Sequence, residues 1–257
     1  MAGAGRLKIG IIGFGPFAQF LARTMIKQGH VLIATSRSDH SLLCSQMGIP
    51  FFRDFDGFFA AGCDVVLIST SILSTAGVLG SIPTTYLHKP KLFVDVLSVK
   101  EQPRGLLLQA LPQEADLLCT HPMFGPESGR DAWFGLPFVF DKVRVRDHAL
   151  CDKYLAIFQA EGCRMIEMSC EEHDRIAAKT QFLTHTIGRI LDQMEIESTP
   201  IDTKGFEKLL QVKYSSMADS VDLYVGLFQQ NKFAKEEMEK LELAFQTVKS
   251  LLMQKAE

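Results

Sequence analysis

A chain of 257 residues is long enough for one large domain or two moderate ones. With 47% hydrophobic residues, 22% charged residues and a net charge of -3, it has an ordinary globular composition, and no basic run points to nucleic acid or an anionic membrane surface. Its six cysteines lack a C-x-x-C pair and read as reduced, buried small hydrophobes of an intracellular protein, while no apolar stretch approaches transmembrane length.

Lys8 to Ile12 is an apolar strand run that begins within the first ten residues, so no signal or transit peptide is expected in this sequence. The turn Gly13-Phe14-Gly15-Pro16-Phe17-Ala18 follows, then a helical run from Gln19 to Gln28 and a second strand from Val31 to Thr35. This is the G-x-G-x-x-A dinucleotide fingerprint in its strand–turn–helix–strand setting. Gly13 permits the tight turn, Gly15 lets the backbone approach a pyrophosphate, and Ala18 lets the helix pack closely on the strand. The phosphates then meet free N–H groups at the helix N-terminus. An enzyme that uses NAD usually has Asp or Glu at the end of the second strand, roughly 20 residues past the glycines. Here that end reads Ser36-Arg37-Ser38. A guanidinium between two hydroxyls suits a 2′-phosphate, so the expected cofactor is NADP; the alternative is a solvated loop arginine.

Further along, Ser41 to Met47 reads as a short helix, Phe51-Phe52 as an edge strand and Asp56 to Ala61 as a helix. The pattern continues with strand Asp64 to Ser69, helix Thr75 to Ile82, strand Leu92 to Val96 and helix Pro103 to Leu111. Strands Leu117 to Thr120 and Pro137 to Phe140, helix Asp147 to Glu161 and strand Arg164 to Met168 complete it. Alternating strands and helices predict a Rossmann-type, doubly wound α/β fold with a mainly parallel sheet. From Cys170 the character changes: 173–195, 205–231 and 233–256 are helical runs. The expected division is therefore 1–168, binding the dinucleotide, and 169–257, all-helical. A tail of about 90 residues is small for an independent core, so it is expected to pack on a second copy, giving a homodimer.

Ligands in open α/β sheets lie beyond the carboxyl ends of the strands. The fourth strand ends in Ser69-Thr70-Ser71; Thr70 and Ser71 can face a ribose or phosphate, and Ser71 can equally be a helix cap. The fifth ends in Asp95-Val96-Leu97-Ser98-Val99-Lys100. The sixth runs into His121-Pro122-Met123-Phe124-Gly125-Pro126-Glu127-Ser128-Gly129. A histidine held at a strand end by a stiff loop can take a proton from a hydroxyl while hydride leaves the same carbon. Ser98 could bond the same oxygen or set the imidazole tautomer; a strand-capping histidine is the plainer alternative. No metal site is expected, because no second ligand has helpful spacing to His121.

G-x-G-x-x-A, D-x-x-S-x-K and HPMFGPESG, followed by a helical tail, together resemble the TyrA family of prephenate and arogenate dehydrogenases, the plant branch in particular. The resemblance covers essentially the whole chain, and HPMFGPESG is its most specific part. It implies oxidative decarboxylation of a cyclohexadienol, with His121 as proton acceptor, Ser98 assisting, and a helical dimerisation domain. It also implies that Gln181 and His185, four residues apart with Arg189 extending the row, face the substrate. Thr203 and Lys204 would lie where bacterial relatives hold a carboxylate with arginine, although this chain reads DTKGFEKLL there. Asp219 matches the acid of arogenate-preferring plant enzymes, with Asp222 close by. An acid there would pair with the ammonium that arogenate carries and prephenate lacks. The implied product is tyrosine. Alternatives are a prephenate dehydrogenase, a β-hydroxyacid dehydrogenase or imine reductase using NADP, and a non-catalytic NADP sensor. The expected location is cytoplasmic, or plastid if a transit peptide has been removed.

Overall fold

The computed structural model describes residues 5–88 and 91–254. Its strands are β1 (Lys8–Ile12), β2 (Val31–Thr35), β3 (Phe51–Phe52), β4 (Val65–Ile68), β5 (Leu92–Asp95), β6 (Asp116–Pro122), β7 (Pro137–Arg144) and β8 (Arg164–Glu167). They form one sheet in the order β3-β2-β1-β4-β5-β6-β7-β8. The six strands β1 to β6 are parallel to their neighbours. β7 is antiparallel to β6, and β8 is parallel to β7. The fold is the expected Rossmann type, with the order reversing at β1 and β4.

Parallel strands covered on both faces need apolar residues at nearly every position. β4, Val-Val-Leu-Ile, is buried throughout. Alternation then divides those residues between two cores. Val65, Leu67, Leu92, Val94 and Leu118 pack with Leu21 and Met25 of α1 (Pro16–Lys27) and with Leu155 and Phe158 of a later helix, His148–Ala160. Val66, Ile68, Phe93 and Leu117 turn the other way, toward Phe58 and Phe59 of the helix Phe55–Ala60 and Leu107 of Glu101–Ala110. With Ser41–Gln46 as α2, these three helices are α3 (Phe55–Ala60), α5 (Glu101–Ala110) and α6 (His148–Ala160), and Thr75–Ser81 is α4.

Three details depart from the expected elements. α1 starts at Pro16 rather than Gln19, because proline's fixed φ suits the first helical position and its missing N–H costs nothing there. β6 and β7 are longer than expected, since their antiparallel ladder runs from Leu117 opposite Arg144 to Pro122 opposite Phe138. His121 consequently lies inside β6, opposite Val139, instead of after it.

The chain divides into two compact units between His173 and Asp174, inside α7 (Cys170–Ala177) rather than at residue 168. The first turn of α7 belongs to the sheet unit: Cys170 is buried in its core, and its N–H donates to Asp141 Oδ2 at 2.9 Å. In the second unit the expected run 173–195 is interrupted by a π-helical turn, Ala178–Phe182, before α8 (Leu183–Gln193). The run 205–231 is two helices, α9 (Lys204–Ala218) and α10 (Val221–Gln229). Ser220 breaks it by taking an extended conformation and capping α10, its hydroxyl accepting from Leu223 N–H at 3.1 Å. α11 (Ala234–Gln254) ends the described chain; residues 255 and 256 of the expected helix lie outside it.

Candidate active site

The carboxyl ends of β1, β2 and β4 enclose a cleft of about 590 Å³. Gly13, Phe14, Gly15, Ser36, Arg37, Ser38, Thr70 and Ser71 all line it. Gly13 has φ +91°, and a Cβ there would sit 2.5 Å from the Ser69 carbonyl oxygen, so both conformation and crowding demand glycine. At Gly15, the N-cap of α1, a Cβ would meet no protein atom within 4 Å. Packing does not require glycine at that position; its smallness keeps the space before the helix N-terminus open, which suits a dinucleotide pyrophosphate. Pro16, Phe17 and Ala18 do not line the cleft. Ala18 is buried beneath it in the core, where its small side chain lets α1 approach the sheet.

Thr70 and Ser71 are locally bonded, Thr70 Oγ1 to Thr75 Oγ1 at 2.8 Å and Ser71 Oγ to Ser74 Oγ at 2.7 Å. The Ser71 side chain makes no bond to a helix-terminal N–H, so it is not a capping group. Arg53 and His40 also line the cleft, although neither stood out in the sequence. Arg53 follows β3, and the rule of reading residues just past each strand would have found it.

The ends of β5 and β6 form a second cluster. Asp95 and Lys100 are buried and ion-paired. Lys100 Nζ also donates to the Thr120 carbonyl at 2.5 Å, and Thr120 Oγ1 donates to the Asp95 carbonyl at 2.6 Å. Burial pushes the Asp95 carboxyl up, against the opposing pull of the Lys100 ammonium. His121 follows Thr120 and is also buried. Its Nδ1 lies 2.8 Å from Nε2 of His173 on α7. Burial, then His173, then Lys100 hold the His121 imidazole well below the ordinary histidine range, so it is neutral at physiological pH. Ser98 is half-buried in the loop after β5 and makes no hydrogen bond to His121 among the described residues. The imidazole partner is therefore His173. No local spacing could have revealed it, because the two histidines are 52 residues apart.

In the second unit, His185 Nε2 lies 3.6 Å from Asp219 Oδ2. Arg189 Nη2 donates to the carbonyls of Asp219 and Ser220 at 3.0 and 3.3 Å, and its guanidinium lies 4.9 Å from the Tyr224 ring. These bonds tie the α9–α10 junction to α8. A Cβ on Gly188 would sit 2.2 Å from Ser216 Oγ, so glycine permits the close approach of α8 and α9. Burial lowers the His185 pKa, Asp219 opposes that, and Arg189 adds to it. Gln181 lies within the π turn, so its four-residue spacing to His185 does not run along a regular α-helix. Thr203 and Lys204 stand apart from this group in their bonding. Thr203 caps α9 by accepting from Phe206 N–H at 3.2 Å, and exposed Lys204 pairs with Glu207 at 2.8 Å. Asp222 is an exposed acid in the first turn of α10.

Comparison with known proteins places these clusters in context. Over 251 residues the chain is 54% identical to the Arabidopsis thaliana protein named Arogenate dehydrogenase 1, chloroplastic, a match covering 96% of this chain and 39% of that one. Over 250 residues it is 52% identical to Arogenate dehydrogenase 2, chloroplastic, from the same plant, covering 96% of this chain and 70% of the relative. The chain belongs to the TyrA family of arogenate and prephenate dehydrogenases.

The family pattern described as "NADP oxidoreductase coenzyme F420-dependent" matches residues 8–99, and "TYRAAT1-like, C-terminal domain" matches residues 190–257. Among solved structures, the fold is shared with a prephenate dehydrogenase from A. aeolicus, in complex with hydroxyphenyl propionate and NAD+. That likeness has TM-score 0.76 at 17% identity and covers 98% of this chain and 92% of that one. A Synechocystis arogenate dehydrogenase gives TM-score 0.65 at 16% identity, over 96% and 92%. An imine reductase from Pseudomonas sp. gives 0.60 at 14%, over 84% and 75%.

In this TyrA chain the D-x-x-S-x-K pattern contains a buried ion pair at its two ends, which generates a stability prediction. Lys100→Met strands the Asp95 carboxylate in the core and should cost about 3–5 kcal/mol, whereas Asp95→Asn combined with Lys100→Met should recover most of that loss. Urea unfolding of both variants measures it. A single variant within about 1 kcal/mol of the parent, or a double variant no better than the single, contradicts the pairing.

Proposed function

We propose that this chain catalyses the NADP-dependent oxidative decarboxylation of arogenate to tyrosine. The observation that carries the proposal is the buried, neutral His121 in β6, with one ring nitrogen occupied by His173 and one left to accept a proton. It occurs in a chain over half identical to two proteins named as arogenate dehydrogenases.

The oxidised nicotinamide supplies a hydride acceptor when it is bound. The turn from Gly13 to Gly15 and the α1 N-terminus would hold the pyrophosphate, and Pro16, Phe17 and Ala18 start and seat that helix. Thr70 and Ser71 offer hydroxyls at the opposite wall of the cleft. Ser36, Arg37 and Ser38 would bind the 2′-phosphate that distinguishes NADP, with Arg53 as a second cation in the same cleft.

His121 accepts the proton of the ring hydroxyl as hydride leaves the same carbon. A weak base suffices, because a hydroxyl on a carbon losing hydride becomes strongly acidic. Ser98 hydrogen-bonds that oxygen and orients it. The bond from the ring to its carboxylate then breaks; carbon dioxide departs, the electron pair aromatises the ring, and the proton returns from His121 to the phenol oxygen. Aromatisation supplies most of the driving force, leaving positioning and one proton acceptor to the protein.

In the second unit Asp219 would pair with the substrate ammonium, and Gln181 and His185 offer polar atoms to its remaining groups. Thr203 and Lys204 are the candidates for holding a carboxylate. Their capping and surface-pair roles mean that either would have to exchange a protein partner for substrate.

A homodimer is supported by α11, which exposes Leu243, Phe245, Val248, Leu251, Leu252 and Met253. Among the described residues no helix is long and apolar enough to cross a membrane. A plastid location is supported by the chloroplastic names of the two Arabidopsis relatives.

A steady-state comparison of arogenate and prephenate, each with NADP and NAD, tests the reading. Arogenate with NADP should give the highest kcat/KM; no turnover of either substrate overturns it. His121→Asn should lower kcat by about 10²–10⁴-fold while NADP still binds, and unchanged turnover removes the proton-acceptor role. Asp219→Asn should shift the ratio of kcat/KM values from arogenate toward prephenate, an assignment that fails if the ratio stays put. Arg37→Ala should raise the NADP KM about 10-fold or more with little effect on NAD, given roughly 1.5–3 kcal/mol for a charged hydrogen bond. An equal effect on both nicotinamides would mean Arg37 does not read the 2′-phosphate.

A further inference from the structure

His173 is a buried imidazole on α7 whose Nε2 faces His121 Nδ1 at 2.8 Å. Two neutral imidazoles can share such a bond in two ways only, since each ring carries one N–H donor and one acceptor nitrogen. If His173 Nε2–H donates, His121 accepts at Nδ1 and carries its own proton on Nε2. That nitrogen then has no lone pair for a substrate proton. If His121 Nδ1–H donates to His173 Nε2, the His121 Nε2 lone pair is available.

Only the second arrangement also survives catalysis. Once His121 takes a proton at Nε2, both of its nitrogens are donors, and a His173 Nε2 that accepts continues to hold Nδ1–H. A bond to the charged form stabilises that form. The environment disfavours a second positive charge close by, because the Lys100 ammonium already acts on this imidazole. Ser98, the other candidate for this duty, makes no bond to the ring among the described residues.

We propose that His173 is a positioning residue that holds His121 as its Nδ1–H tautomer and so presents an unprotonated Nε2 to the substrate hydroxyl. The inference rests on the reading of His121 as proton acceptor. The proton itself moves as described above: the substrate O–H bond breaks and an N–H bond forms at His121 Nε2. His173 therefore acts on the reaction through His121 alone.

The test is two-dimensional ¹H–¹⁵N spectroscopy of histidine-labelled protein near neutral pH, with the His121 signals identified by their loss in His121→Asn. His121 should show a protonated Nδ1 and an unprotonated Nε2. His173→Phe keeps the ring volume but removes the acceptor; it should weaken or reverse that tautomer preference and lower kcat about 10–100-fold, with KM changing less than about 3-fold. His173→Gln retains an acceptor oxygen and should recover most of the kcat lost in the Phe variant.

A His121 ring protonated on Nε2 in the parent protein overturns the proposal whatever the variants do. So does a folded His173→Phe with unaltered tautomer and kcat, or a Gln variant as impaired as the Phe variant. If the tautomer is as proposed but His121→Asn remains active, the proton-acceptor reading fails and the tautomer assignment stands, so the two failures are separable.

Discussion

The sheet end that holds Ser98 and His121 depends on a buried charge pair. Asp95 closes β5 and Lys100 folds back onto it, while the same ammonium holds the Thr120 carbonyl of the adjacent strand. Thr120 completes the link by donating its hydroxyl to the Asp95 carbonyl. Two charges out of water are a poor source of net stability, since desolvation offsets much of their attraction. Their effect here is geometric and electrostatic. The link fixes β5 against β6 at the point where one strand leads to Ser98 and the other carries His121. It also leaves a cation near the imidazole, which adds to burial and to His173 in keeping that ring neutral.

The two ends of the cofactor cleft obey different constraints. At Gly13 the protein itself demands glycine, because the φ is positive and the β4 carboxyl end is in contact. At Gly15 it does not, and the open space there leaves room for a group to approach the helix N-terminus. Two glycines two residues apart in one fingerprint are thus under different packing constraints, and the structure tells them apart where the letters alone do not.

How far the sequence was readable follows from the range of the interaction concerned. The strands β1 and β2 have their expected limits, because a strand buried on both faces is a contiguous apolar run bounded by turn residues. The lengths of β6 and β7 were not readable, since each is set by pairing with the other across an intervening loop. The break at Ser220 has a local signal, a serine with a suitable cap geometry, that the apolar pattern across 205–231 hid. His173 has no local signal. It lies in a polar helical stretch, and only the folding of α7 against the sheet unit brings it to His121. The strand-end rule led to the cleft-lining residues around Arg37 and, applied to β3, would also have reached Arg53.

The second unit, like the first, buries polar atoms that have no hydrogen-bond partner among the described residues. Gln181 Oε1, His185 Nδ1 and Arg189 Nε are buried there without a hydrogen-bond partner among the described residues. Leaving such a group unpaired costs about 1–3 kcal/mol, and folded proteins rarely tolerate it without a reason. All three side chains belong to one continuous stretch, beginning in the π turn and ending on α8, and π turns recur at functional sites. His121 contrasts with them: its Nδ1 is already paired inside the protein, so the orientation of its ring is arranged in advance. Unpaired polar atoms serve recognition in a way that satisfied ones do not. A ligand that supplies the missing partners gains those bonds, and an analogue lacking one leaves the cost standing. The Asp219 carboxylate is half-exposed and lies beside a neutral His185 rather than in a tight ion pair of its own, so under the proposed reading it is the group that would tell an ammonium from a keto group.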